Sequence, residues 1–170
     1  AEGRLLHTAV PTGAGDTVVH MLTYYGYTGA CSGNATAKRL NEGGIRQVLR
    51  YAAALGQVPI VVGGDFNDSP ESSPALWAAL QTGEWFDAAK LEADKHDPPR
   101  DPPPTFGRAG AESRIDLALL NGAARNAFSK SWTAEDGEYP FPQHRPLFLQ
   151  FQWQNLQQEV QRLKQEVQRP

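Results

Sequence analysis

The sequence predicts a mixed α/β (α+β) fold in which extended apolar segments are separated by helical ones. Residues 58–62 form an apolar, largely β-branched run, which is typical of a central strand buried on both faces. Between residues 34 and 55, apolar side chains recur at close to helical spacing. Residues 147–153 predict a last strand, with apolar and polar residues alternating after Leu149.

Length and charge limit the classes of function. A chain of 170 residues with 40% hydrophobic content fits one soluble domain with a substantial core, and no apolar run approaches the length of a membrane span. Sixteen basic and nineteen acidic residues give a net charge of −3, which argues against a protein held on nucleic acid chiefly by a basic surface. An enzyme that grips phosphates locally stays compatible with this charge. The single cysteine, Cys31, and the absence of a signal peptide favour an intracellular protein.

Two strands are expected in the N-terminal part, at residues 5–10 and 17–25, joined by a turn at 11–16. Both alternating sets of the second strand are fairly apolar, so we expect both of its faces to be covered. His20 is expected to be a structural histidine. Tyr25 is well placed to reach a site at the strand end, although a packed tyrosine whose hydroxyl bonds to backbone fits the sequence equally well.

Two helices are expected on either side of the central strand. The first covers residues 34–55, or begins near Asn41, because a glycine pair weakens the middle of the pattern. The second begins with Ser73 as the N-cap and Pro74 at the first helical position, and it ends before Gly83.

The C-terminal half begins with a segment rich in proline and charge, residues 93–110, which predicts a long surface loop with a solvated His96. Residues 113–120 return to a strand, and a turn at Asn121 is expected to close it. Asp116 lies inside this apolar stretch. A carboxylate there is costly unless it is paired, hydrogen-bonded or bound to a metal, and an edge position facing water is the alternative.

The end of the central strand carries two side chains suited to ligand binding. Asp65 and Asn67 are two positions apart and lie on the same side if the chain is still extended. Asp65 offers a hard oxygen ligand for a divalent cation, and Asn67 offers both a donor and an acceptor. Ordinary turn chemistry explains these residues about as well.

Three separated pieces are each expected at or near a strand end: Asp65 with Asn67, then Asp116, then His144. A carboxylate that binds a divalent cation, a second carboxylate that orients an imidazole, and the imidazole itself make up a phosphoester-hydrolysing site.

The order and the residue identities of these pieces resemble those of the endonuclease/exonuclease/phosphatase family, whose members are Mg²⁺-dependent and have the DNase I-like fold. Gly63-Gly-Asp-Phe-Asn67 is similar to the central metal motif of that family, and Ser113-Arg-Ile-Asp-Leu-Ala-Leu-Leu120 is similar to its aspartate strand. His144-Arg-Pro146 resembles the C-terminal histidine motif. The loop Pro103-Pro-Thr-Phe106 and the strand Thr23-Tyr-Tyr-Gly-Tyr27 also resemble family segments.

The resemblance implies a DNase I-like sandwich of two β-sheets flanked by helices and a phosphodiesterase of nuclease type that depends on Mg²⁺, with Mn²⁺ as an alternative. By position, Asp65 would bind the cation and activate or orient the attacking water, and Asn67 would hold the water or a phosphate oxygen. Asp116 would fix the tautomer of His144. His144 is expected to be a cation ligand, and it would hydrogen-bond the phosphate or transfer a proton. Tyr25 would contact the phosphate. DNA, RNA, phospholipid head groups and inositol phosphates all stay open as substrates.

Two departures from the family pattern keep other functions open. The family normally supplies an Asn and a metal-binding Glu from its N-terminal half, so this chain is expected to correspond to the C-terminal portion of the domain. Gln143 stands where the family usually has Asp, which removes a negative charge beside the expected metal. The alternatives are a catalytically inactive remnant that acts as a binding module, and the endonuclease module of a retroelement polyprotein.

The last residues, 154–170, are expected to form a heptad-like helical tail after a domain at 1–153. Apolar residues are spaced by three and four, and Gln-Glu-Val-Gln-Arg recurs seven residues apart. Self-association through this seam is one reading. A helix lying on the domain or a frayed tail are the alternatives, because a coiled coil normally needs three or four heptads. The seam residues are Trp153, Leu156, Val160, Leu163 and Val167.

Overall fold

A computed structural model describes residues 3–12, 18–108, 111–134 and 143–167. These residues form nine strands and five helices. The elements are β1 Leu5–Pro11, β2 Val18–Tyr25, α1 Ala35–Ala54, β3 Ile60–Asp65, α2 Pro74–Gln81, β4 Trp85–Asp87, α3 Ala88–Ala93, β5 Phe106–Arg108, β6 Ala111–Ser113, β7 Asp116–Asn121, α4 Gly122–Ala127, β8 Phe128–Thr133, β9 Leu147–Phe151 and α5 Trp153–Val167. Within these ranges, every helix is too short or too polar to cross a bilayer.

Five strands form the main sheet in the order β1-β2-β3-β7-β4. β2 and β3 are parallel, and the other neighbouring pairs are antiparallel. The predicted central strand lies in the middle of this sheet, as expected, but it continues through the glycine pair to Asp65. Gly64 has a φ of 139°, and a Cβ there would overlap the carbonyl oxygen of Tyr24, so only glycine lets the strand continue here.

Helices α1 and α2 cover one face of the sheet and form the first core with it. Ile45 and Val48 of α1 and Leu76 of α2 are fully buried there. Two starts were predicted for this helix, near residue 34 and near Asn41. α1 begins directly after its N-cap, Asn34, so the start near Asn41 is wrong. The glycine pair does not break the helix. Gly44 is needed for packing, because a Cβ there would collide with the buried Tyr24 hydroxyl.

The second face carries a separate core. Val61 and Leu120 from the sheet pack with Ala124 of α4 and Leu156 of α5. β8 and β9 pair with each other as a short second sheet, and the apolar side chains of β9 pack on this core. The five-stranded sheet and the β8–β9 sheet, with their flanking helices, correspond to the predicted arrangement of two sheets, and β5 and β6 pair as a further two-stranded sheet.

The heptad seam of α5 packs on its own domain. Leu156, Val160 and Leu163 are only 3%, 4% and 5% exposed, which confirms the alternative of a helix lying on the domain. These three positions are therefore buried within their own domain, and self-association through the seam is not shown. Trp153 is exposed, and the side chain of Val167 lies outside the described residues.

One face of β2 is less covered than the sequence predicts. Leu22 and Tyr24 are buried under α1, but Met21, Thr23 and Tyr25 on the opposite face are exposed. The reason is that α4 contacts β3, β7 and β4, so it covers this face of the sheet over those three strands and leaves β2 uncovered. An apolar alternation alone does not say how far a covering layer extends.

Several short elements have no counterpart in the prediction. β4, α3, α4 and β8 contain three or six residues each, too few for a periodic signal. Asn121 caps α4 and does not form a turn, because its side chain accepts from the Ala124 backbone N–H. Residues 93–110 also include β5, although His96 is exposed as predicted. The last strand ends at Phe151, not at 153, where α5 begins. Most of the predicted 11–16 turn, residues 109–110 of the loop, and Pro142 lie outside the described residues.

Candidate active site

Three neighbouring strands bring polar side chains to one end of the main sheet. Tyr25 is the register partner of Asp65, and Asp65 is the register partner of Asp116. Side chains of directly paired residues lie on the same face of a sheet. The ends of β2 and β3 and the start of β7 therefore place Tyr25, Asp65 and Asp116 in one row.

The imidazole of His144 completes this row. Its Nδ1 lies 3.1 and 3.0 Å from the two carboxylate oxygens of Asp116. A proton on Nδ1 is therefore stabilised by the carboxylate, and Nε2 is left as the ring nitrogen available to other groups. The predicted pairing of Asp116 with His144 is present in the structure.

A threonine and a phenylalanine hold this pair in position. The backbone N–H of Asp116 donates to Thr105 Oγ1 at 2.9 Å, and the backbone N–H of Arg145 donates to the Thr105 carbonyl at 2.7 Å. Phe106 forms a bridge with His144, and their ring centroids are 4.7 Å apart. Both residues belong to the Pro103–Phe106 segment, whose family resemblance was the sequence signal, although no role was assigned to either one.

The ligand atoms of Asp65, Asp116 and His144 all lie within 4.8 Å of one another. Burial raises the pKa of Asp65, and the nearby Asp116 carboxylate raises it further, while the Asn67 backbone N–H and His144 lower it. Two carboxylates this close repel each other when both are ionised. A divalent cation would relieve that repulsion, so the two carboxylates fit such an ion.

Asn67 has an unusual conformation and an unpaired group. Its φ is 50°, which is uncommon outside glycine, and its backbone N–H donates to Asp65 Oδ1 at 2.9 Å. The residue is 7% exposed, and its Nδ2 is buried with no hydrogen-bond partner among the described residues. An unpaired buried amide costs about 1–3 kcal/mol. Asparagine tolerates this conformation, so the unpaired donor alone points to an acceptor supplied by a ligand.

Asn41 fixes the backbone between Asp65 and Asn67. The sequence analysis did not identify Asn41 as a site residue. Its Nδ2 donates to the Phe66 carbonyl at 2.8 Å, and its Oδ1 accepts from the Tyr27 backbone N–H at 3.1 Å and from the Tyr24 hydroxyl at 3.0 Å. Its signal in the sequence is a polar residue on the apolar face of a predicted helix.

Tyr25 and His20 lie in different surroundings at the two ends of β2. Tyr25 is 51% exposed, and its hydroxyl is 3.5 Å from the Thr28 hydroxyl, so the alternative of a packed tyrosine bonded to backbone is wrong. His20 Nδ1 is 2.7 Å from His7 Nε2, away from the row, and burial and His7 lower the pKa of His20. It is a structural histidine, as predicted.

Comparison with solved structures shows the same fold in two enzymes, one of them represented by two structures. The 3′–5′ exonuclease from Neisseria meningitidis has a TM-score of 0.66 and 16% identity, with 88% of this chain and 65% of that chain covered. A structure of a variant of the same Neisseria protein, described as a 3′ phosphatase and bound to a product DNA hairpin, has a TM-score of 0.62 and 18% identity, with 87% and 64% covered. The endonuclease domain of TRAS1, a telomere-specific non-LTR retrotransposon, has a TM-score of 0.59 and 15% identity, with 88% and 63% covered. The chain thus spans about two thirds of the length of each.

Sequence comparison identifies the family directly. A search among curated proteins finds no match. The model of the Endonuclease/Exonuclease/phosphatase family, however, matches residues 4–140, which include Asp65, Asn67 and Asp116. The structural neighbours share the DNase I-like fold that the sequence motifs predict. This chain belongs to the Endonuclease/Exonuclease/phosphatase family.

Proposed function

We propose that this chain carries a phosphodiesterase site of nuclease type that depends on a divalent cation, Mg²⁺ or Mn²⁺. The observation that carries the proposal is the meeting of Asp65, Asp116 and His144 at one end of the sheet. The family supports a phosphoesterase, and two neighbours support nucleic acid as the substrate: the Neisseria exonuclease and 3′ phosphatase, which is one protein, and the TRAS1 endonuclease.

Asp65 is the carboxylate that we assign to the cation. It is not held by a basic side chain in the described contacts, whereas Asp116 already holds His144. When bound, the cation supplies positive charge that stabilises the charge developing on the phosphate and the leaving oxygen. Because Mg²⁺ prefers oxygen ligands, we favour a proton-handling role for His144 over the predicted role as a cation ligand.

The remaining residues orient and polarise the substrate. Asp116 keeps the proton of His144 on Nδ1, so that Nε2 accepts a proton or a hydrogen bond at the phosphate. The unpaired Nδ2 of Asn67 donates to a phosphate oxygen or to the attacking water. The Tyr25 hydroxyl, at the end of the row, contacts another phosphate oxygen.

The test is hydrolysis of a small activated phosphodiester and nicking of a plasmid, each with Mg²⁺ and with EDTA. His144→Ala and Asp116→Asn are expected to lower the rate by about 10²–10⁴-fold, the range for loss of a general acid–base group. His96→Ala is the matched control, because His96 is exposed in the 93–110 segment and should leave the rate unchanged.

A rate that survives EDTA or the His144→Ala change would contradict the proposal. Absence of hydrolysis in all assays, together with retained binding of DNA, would favour the inactive binding module. Gln143→Asp adds a negative charge next to His144, and we expect it to lower the cation concentration needed for half-maximal rate.

A further inference from the structure

Helix α1 carries a line of arginines on its surface. Arg39, Arg46 and Arg50 are seven and four residues apart, so at 100° per residue they lie within about 20° of one line along the helix. The chain as a whole is acidic, with a net charge of −3, so this concentration of positive charge is local. The net charge considered in the sequence analysis did not reveal it.

A shallow cavity of about 530 Å³ lies along this line. A Cβ at Gly43 would meet no atom within 4 Å, so the middle of the line is open and accessible from solvent. We call this cavity the α1 trough. It is lined by Tyr27, Arg39, Leu40, Gly43, Gly44, Arg46, Gln47 and Arg50.

Two of the arginines in the α1 trough are exposed and available. Arg39 and Arg50 form no ion pair or hydrogen bond with any residue in the described ranges. Arg46 has a long contact of 3.4 Å with Glu42, but Glu42 is buried and also accepts from the Ala75 backbone N–H at 2.9 Å. The guanidinium groups therefore face solvent with most of their donors unused.

The α1 trough is connected to the candidate active site through Tyr27 and Arg4. The Arg4 guanidinium lies 4.0 Å from the centroid of the Tyr27 ring and donates to the Gly26 carbonyl at 2.7 Å. The Gly26 backbone N–H donates to the Asp65 carbonyl at 2.6 Å. Arg4 and Tyr27 thus join the α1 trough to the end of the strand that carries Asp65, whose side chain lies on the opposite face of the sheet from α1.

We propose that the α1 trough binds the sugar–phosphate backbone of a nucleic acid strand whose scissile phosphate lies at Asp65 and His144. This inference rests on the proposed function, and it adds the part of the substrate away from the reaction. Guanidinium groups match phosphate geometry through paired N–H donors. The line from Arg39 to Arg50 is about 16 Å long at 1.5 Å per residue. Within a duplex, where the phosphates of each strand are about 3.4 Å apart along the axis, that length corresponds to about five nucleotides, and an extended single strand would have fewer over the same length.

The test is binding of fluorescent DNA and RNA strands of about 20 nucleotides, measured by anisotropy over a range of salt concentrations in EDTA so that no hydrolysis occurs. Arg39→Gln/Arg50→Gln is expected to weaken binding, and it should make the slope of log K against log salt less negative by about 1.4 for single strands, at 0.7 per phosphate contact. Lys130→Gln/Lys164→Gln removes the same charge from two exposed lysines outside the trough and should leave the slope nearly unchanged.

Each result has a defined meaning. An arginine variant that binds with the slope of the lysine variant would overturn the inference, and so would a parent chain that binds anionic lipid vesicles but neither DNA nor RNA. Hydrolysis of the small phosphodiester, which is too short to reach the α1 trough, should be the same for both double variants and the parent. Loss of that hydrolysis in the parent would instead count against the proposed function, so the two failures are distinguishable. A slope change seen with only one of DNA and RNA would identify the strand type.

Discussion

Replacing Asn41 by alanine should destabilise the fold and the active site together. The side chain is fully buried and makes three hydrogen bonds, to Phe66, Tyr27 and Tyr24. A net value of about 1 kcal/mol for each bond gives about 3 kcal/mol, and the unpaired groups left behind raise the expected loss of unfolding free energy to about 3–5 kcal/mol. For a domain of this size, that loss lowers Tm by roughly 10 °C.

Urea denaturation and thermal unfolding measure this loss directly. Asn126→Ala is the matched control, because Asn126 is exposed and its side chain bonds only Glu159 among the contacts found, at 3.0 Å. The control should lose less than about 1 kcal/mol. The rate of phosphodiester hydrolysis at a temperature where Asn41→Ala is still folded should also fall, because the Phe66 carbonyl lies between Asp65 and Asn67. Equal losses of stability in the two variants would refute the reasoning.

Two further predictions concern the charge of the site and the packing of α5. Asp65→Asn should raise stability in cation-free buffer, because the pKa of Asp65 is raised in the fold by burial and by Asp116. The folded chain binds this proton more tightly than the unfolded chain. The parent should therefore lose stability relative to the variant as pH rises through the unfolded-state and folded-state pKa values of Asp65. An equal pH dependence of stability in the parent and the variant would contradict this. Leu156→Ala should lower the unfolding free energy by about 2–5 kcal/mol, because the side chain is buried in the second core. Gln158→Ala on the exposed side of α5 is its control, and a sedimentation experiment at increasing concentration should show that neither variant changes the oligomeric state.

The candidate site could be predicted from the sequence because its residues lie within short motifs. Asp65, Asp116 and His144 follow or begin strands with strong apolar signals, and the order of the motifs matched one family. Thr105 and Asn41 could not be assigned roles in the same way, because the partners of their side chains are at least 10 and 14 residues away, respectively. Such contacts depend on the packing of separate elements, which local patterns do not report.

The fold was predicted where elements are long and missed where they are short. α1, with 20 residues, has a clear periodic pattern, and the apparent break at its glycine pair is explained only by the Tyr24 hydroxyl packed against Gly44. β4 has three residues and leaves no periodic signal. The arginine line was missed because net charge averages over the whole chain, although the spacing of residues 39, 46 and 50 on the helix predicted at 34–55 already places them on one face.

The paired row of Tyr25, Asp65 and Asp116 makes the chain intolerant of a change in length at one place. Inserting or deleting one residue between Ile60 and Asp65 would turn the Asp65 carboxylate toward the α1 side and exchange the two cores that Val61 and Val62 fill. The irregular segment before Thr105 carries no such alternation, so it can change in length without turning a side chain over. The register of the central strand therefore fixes which side chains face the active site, and length variation among functional variants should be confined to the loops.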